Sequence, residues 1–263
     1  MAEARLGSML ARQADYYAKA YRRTWKGSVV SSFVQPWLYV AAMGVLLGGY
    51  IDQRSSGLGG APTYLAYIAP GLLAATAMQV AAGETMYPVM GAIKWDKTYY
   101  AMLASPLRTV DIVIGHLTYA FFRVAFTEVV FAVVLAFFGL YASAAGFVGA
   151  LLASLLTGLA FATPVYAFSA GAKSEQAFAL IYRLGVMPMF LFSGAFFPIS
   201  NLAEPLQWVA KVTPLWHGVQ LCRMCSLGQW DGPAALVHVA YLCTLTGLGL
   251  WFAVRRLTHR LVI

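Results

Sequence analysis

Residues 110–140 read VDIVIGHLTYAFFRVAFTEVVFAVVLAFFGL, and this stretch decides the solvent for which the fold is built. Apolar side chains occupy nearly every position, so no face is left for water. A helix rises about 1.5 Å per residue, so about 20 such residues cross a hydrocarbon core of about 30 Å. The same kind of block recurs along the chain. Five more apolar blocks lie at 29–50, 64–90 (interrupted by Pro70 and Pro88), 145–171, 177–197 and 233–254. Only 11% of the 263 residues are charged, against about 25% in ordinary soluble domains. The expected fold is an all-α integral membrane protein with six transmembrane helices.

The remaining charge follows topology. The net charge of +8 does not form a phosphate-binding stripe, and no nucleic-acid partner is expected. Residues 1–28 alternate Leu6, Met9, Leu10, Tyr17, Tyr21 and Trp25 with Arg5, Arg12, Lys19, Arg22, Arg23 and Lys26. That pattern suits an amphipathic helix lying in the membrane interface. With both termini in the cytoplasm, thirteen Lys and Arg fall on the inner side and three (Arg54, Lys211, Arg223) on the outer side. Basic residues favour the cytoplasmic side, so both ends are placed there. Residues 29–263 then form the permease domain.

Residues 198–230 are too broken by Pro198, Pro205 and Pro214 to span, yet too apolar for a solvated loop. They read as an outer re-entrant helix pair or as an amphipathic hairpin on the interface. Glu84, Arg123, Glu128 and Arg183 lie inside spans. Each costs about 2.5–3.5 kcal/mol at the bilayer centre unless it is paired or faces water. Arg123 is expected to pair with Glu84 or Glu128, as a structural link or as part of a translocation path. Phe196 and Phe197, near the outer end, fit an exit for an apolar substrate or an aromatic belt. Gly44 and Gly48 form one G-x-x-x-G, a packing motif of membrane helices. Cys222 and Cys225 form a lone C-x-x-C, read as two small apolar side chains. No catalytic set, metal site or nucleotide-binding motif is expected. Gly171-Ala172-Lys173-Ser174 lacks the loop and strand that a P-loop needs.

Residues 93–104 are expected to form a short cytoplasmic helix presenting Lys94, Trp95, Asp96 and Lys97, with Tyr99 as an apolar anchor. It ends before Pro106. It is either a docking element or a plain connector. The amphipathic start, six spans, charged loop and re-entrant pair resemble the permease subunits of type-2 bacterial ABC exporters. The most specific stretch is Phe192-Ser193-Gly194-Ala195-Phe196-Phe197-Pro198-Ile199-Ser200, continuing through Trp208 to Thr213-Pro214-Leu215-Trp216-His217-Gly218. Within that family the chain most resembles NodJ-type permeases, which export lipo-chitooligosaccharides, with daunorubicin-resistance-type drug permeases nearby. The resemblance implies an inner-membrane homodimer above two copies of a separate ATPase, which holds the ATP and Mg. It makes residues 93–104 the coupling helix and puts Phe196, Phe197, Trp208 and Trp216 at the extracellular exit. The substrate expected is an amphiphile, either a lipid-tailed saccharide or a hydrophobic drug. Two other classes compete: an ion-coupled transporter relaying protons through Glu84, His116, Glu128 and His238, and an intramembrane protease using Ser193 and His238.

Overall fold

A computed structural model describes residues 2–52 and 60–262, and within them every regular element is a helix. The long helices are α1 (Ala2–Tyr39), α2 (Tyr64–Thr85), α5 (Thr109–Phe137), α6 (Ala144–Gly171) and α10 (Gly232–Leu261). Between them lie α3 (Tyr87–Lys94), α4 (Thr98–Leu103), α7 (Gln176–Phe192), α8 (Glu204–Val212) and α9 (Pro214–Leu227). Five helical segments are long and apolar enough to cross a membrane: Trp25–Ile51, Tyr64–Lys94, Thr109–Phe137, Ala144–Gly171 and Gly232–Leu261. The remaining apolar helix, α7, has 17 residues, about 26 Å at the helical rise.

The N-terminal segment and the first span form one rod. Helix α1 continues into a wider π-helical stretch, Val40–Gly48, and a last turn, Gly49–Ile51. It runs alongside α5, with Gln13 against Gly115 and Tyr17 stacked on Tyr119. Gly44 of the G-x-x-x-G lies against Leu65 of the same chain, so this glycine is already used inside the protomer.

Helix α2 is the centre. It is buried all round from Ala66 to Met78, as an apolar helix without a polar face must be, and packs on α5, α6 and α9. Small residues set the close approaches. A Cβ on Gly71 would lie 2.7 Å from the Ala195 backbone, and one on Gly249 2.7 Å from the Pro164 nitrogen. Side-chain caps start the helices: Thr63 for α2, Ser143 for α6, Thr213 for α9 and Asp231 for α10.

Pro88 interrupts the second apolar block. Having no N–H, it cannot bond the Glu84 carbonyl four residues back, and the chain kinks at Met86. One end of the bundle carries the kink, α3, α4, the turn at 172–175 and the end of α10. The opposite end carries residues 60–63, the α5–α6 turn, α8 and the residues after α7.

Candidate functional site

The end carrying α3 and α4 has one projecting feature. The expected helix over 93–104 is broken. Helix α3 stops at Lys94, Trp95–Lys97 form a turn, and α4 begins at Thr98. The Gly91 carbonyl accepts both Trp95 N–H, at 3.1 Å, and Asp96 N–H, at 2.9 Å, which closes the turn. Lys97 then reverses the chain in the left-handed region, with φ of 52°. Trp95 is 52% exposed, and Asp96 and Lys97 face solvent beside it. Lys94 pairs with Glu175 at 3.1 Å, bridging this turn to the one after α6.

Tyr99 does the opposite of what its place in the sequence suggests. It is 1% exposed and anchors inward. Its hydroxyl lies 2.8 Å from His116 Nδ1, and Tyr166 donates to it at 3.1 Å. His116 Nε2 lies 2.9 Å from the Glu84 carbonyl, the one that Pro88 leaves free. A carbonyl only accepts, so Nε2 carries the proton and Nδ1 accepts from Tyr99. The Tyr17 hydroxyl approaches the same Nδ1 at 3.4 Å. Burial holds the Tyr99 and Tyr17 phenols well above the usual tyrosine range, so both stay protonated as donors. One imidazole thus ties α1, α2, α4, α5 and α6 directly behind the exposed turn.

The intramembrane charges separate into three environments. Arg123 Nε donates to Glu84 at 2.9 Å, and the guanidinium lies 5.2 Å from the Tyr21 ring centre. Glu128 is not its partner. Five residues of helix turn the side chain through about 140°, onto another face. Glu128 is fully buried among Ser154, Tyr141 and Cys222; Ser154 is the donor beside it, but neither carboxylate oxygen closes a hydrogen bond among the described residues. The Ser154 hydroxyl is committed to the Leu151 carbonyl. Arg183 faces outward from α7, with no ion pair among the described residues.

At the far end, Phe196 packs edge-on against Phe190, and its carbonyl accepts from Tyr64. Phe197 is half-buried in the same turn. Trp208 is exposed on α8 under Lys211, whereas Trp216 packs against His217 and His238, its indole N–H without a partner among the described residues. The structure gathers Phe196 and Trp216 near the turn at Gly194 and leaves Trp208 outside. Arg223, counted among the basic residues of the outer side, is buried. The competing chemistries lose their geometry. His238 Nδ1 is hydrogen-bonded to His217 Nδ1 at 2.7 Å, while the buried Ser193 hydroxyl has no partner among the described residues. Among the described residues, no hydrogen bond links Glu128 or His238 to the Glu84–His116 contact. Cys222 and Cys225 are free thiols.

A profile of the ABC-2 type transporter family matches residues 13–226. The chain belongs to the ABC-2 type transporter family. Among its relatives, nodulation protein J of Rhizobium leguminosarum bv. viciae is 31% identical over 210 residues, covering 80% of this chain and 79% of the relative. The protein of the same name from R. leguminosarum bv. trifolii is 32% identical over 209 residues, 80% and 78% of the two chains. That from Rhizobium meliloti (strain 1021) is 30% identical over 220 residues, 84% and 80%. These similarities bear out the NodJ-type resemblance. The ABC-2 chain is a multi-pass membrane subunit of a transporter, and the match takes in the turn at 95–97, α8 and α9 as far as residue 226.

The sequence offered His116 only as one member of a proton relay and Tyr99 only as an outward docking anchor; the cluster that they form with Tyr17 and Tyr166 was not legible. Neutral polar residues scattered over five helices have no common spacing. The available signal was Pro88, which requires some donor for the Glu84 carbonyl.

Proposed function

We propose that this ABC-2 chain is the permease subunit of an ATP-driven exporter of amphiphiles in the bacterial inner membrane. Two copies stand above two copies of a separate ATPase that binds ATP and Mg. The helices cross six times, α7 being the shorter fifth crossing, and both termini are cytoplasmic. Helices α8 and α9 form the re-entrant pair at the outer face. The substrate is a lipid-tailed saccharide or a hydrophobic drug, as the NodJ-type resemblance implies.

The observation that carries this reading is the exposed Trp95–Lys97 turn, backed by the His116 cluster. An aromatic side chain ringed by charge is a common hot spot, whose truncation costs about 2 kcal/mol or more of binding. A turn clamped to five helices by buried hydrogen bonds transmits a push without bending. Lys94, Lys97, Arg108, Lys173, Arg255, Arg256 and Arg260 lie at this same end, which supports its cytoplasmic placement.

Trp95→Ala and Asp96→Lys are expected to leave the protein folded and inserted. Both should lower co-purification of the ATPase and abolish substrate-stimulated hydrolysis in reconstituted vesicles. Normal ATPase capture and normal transport by both variants would sink the coupling role.

A further inference from the structure

At the end opposite the Trp95 turn, Arg223 of α9 is only 8% exposed and borders a cavity of about 340 Å³. Its Nη2 donates to the Gly194 carbonyl at 2.8 Å and to the Tyr67 carbonyl at 3.4 Å. The guanidinium sits 4.0 Å from the Tyr67 ring centre. Its Nε has no hydrogen-bond partner among the described residues. None of the ion pairs among the described residues includes it, and the cavity lining holds no acidic side chain. Asp52 accepts from Tyr64 N–H, Asp231 caps α10 and Glu204 is exposed on α8, and no carboxylate forms an ion pair with Arg223 among the described residues. Residues 53–59 contain no acid.

Neutral carbonyls and a ring face orient a guanidinium without cancelling its charge. Buried charges in proteins are normally paired, because an unpaired one is costly in low dielectric. Here the cation has a spare N–H, an adjoining void and amide and hydroxyl neighbours in Gln220, Gln229 and Ser200. That combination suits an oxyanion, which accepts from a guanidinium in a directed way.

We propose that the Arg223 cavity is an anion-binding site for a phosphate, sulfate or carboxylate group, free or carried by an amphiphile. The inference draws on the permease reading only for the side of the membrane, where it places the site on the outer face.

The test uses the full chain in phosphatidylcholine nanodiscs, followed by tryptophan fluorescence during thermal unfolding. The probes are inorganic phosphate and short-chain phosphatidylglycerol, with potassium chloride at equal ionic strength and short-chain phosphatidylcholine as controls. A saturable rise in midpoint with phosphate identifies a free-anion site. A rise with phosphatidylglycerol alone identifies a headgroup site. Either supports the proposal. Gln220→Glu places a carboxylate in the cavity and is expected to weaken binding about tenfold or more. Arg223→Lys keeps the charge but loses the planar fork, and should bind more weakly than the wild type. The proposal is overturned if neither anion outperforms its control, or if Gln220→Glu binds as the wild type does. Because binding alone is read, these outcomes leave ATPase capture and transport as separate questions.

Discussion

A guanidinium inside a helix bundle pairs with the carboxylate that can reach its N–H groups, and helix geometry makes that choice for Arg123. Glu84 meets Nε at 2.9 Å from the neighbouring helix, while Glu128 points away on the same helix. A double-mutant cycle on unfolding free energy should therefore show coupling between Arg123→Ala and Glu84→Ala of about 1 kcal/mol or more. The cycle with Glu128→Ala should be additive within about 0.5 kcal/mol. The opposite pattern would mean that the ion pair is misassigned. Tyr99 allows a second measurement. Tyr99→Phe removes one donor to His116 and one acceptor for Tyr166, and should cost about 1–3 kcal/mol of stability. An unchanged stability would mean that the cluster does not clamp the loop. Charged residues in spans are conspicuous, so Arg123 and Glu84 were legible from sequence. His116 was legible only as a relay candidate and not as a clamp, because that role comes from a carbonyl freed 32 residues earlier by Pro88.

The long helices were legible for the same reason that they are long. Lipid demands continuous apolar runs, and the observed bounds at Thr109–Phe137 and Ala144–Gly171 lie close to the expected 110–140 and 145–171. Short elements escape this logic. Residues 93–104 contain good helix formers and no glycine or proline before Pro106, so local propensity alone continues the helix. Backbone closure overrides it: Gly91 offers one carbonyl to two N–H groups, and the Trp95 ring then folds back over the glycine. A Cβ on Gly91 would lie 3.3 Å from Trp95 Cε3, so Gly91→Val should displace the indole. Membrane insertion should be retained while ATPase capture falls as in Trp95→Ala. Full capture by Gly91→Val would show that the indole position is unimportant. Lys97 holds φ of 52°, a conformation that costs a side-chain-bearing residue about 1–2 kcal/mol and glycine little. Lys97→Gly should accordingly raise the unfolding midpoint, and a clear fall would show that the lysine side chain outweighs the backbone strain.

Across the whole molecule, burial within one chain leaves some surfaces that a further neighbour would complete. On α7, Leu180 and Leu184 are exposed on either side of Arg183. Leucines suit lipid, but an arginine facing the bilayer interior costs about 2.5–3.5 kcal/mol unless it reaches water or a partner. Helix α7, at 17 residues, is also shorter than the five long apolar segments, so snorkelling is one escape. A second copy supplying carbonyls or hydroxyls is the other, and the proposed homodimer provides it. The two differ in what stands beside Leu184. With Cys222, Cys225 and Cys243 replaced by Ala, Leu184→Cys in native membranes should form a disulfide-linked dimer on mild oxidation if α7 faces its symmetry mate. Leu248→Cys, exposed on α10, serves as the control face and should stay monomeric. In the same background, Lys173→Cys should be protected from an impermeant thiol reagent in intact cells and Val212→Cys labelled by it. Dimer formation at position 248 but not at 184 would move the interface to α10. A lack of crosslinking at 184 in a fully transporting, correctly oriented protein would leave Arg183 to snorkel, and the α7 interface would be wrong.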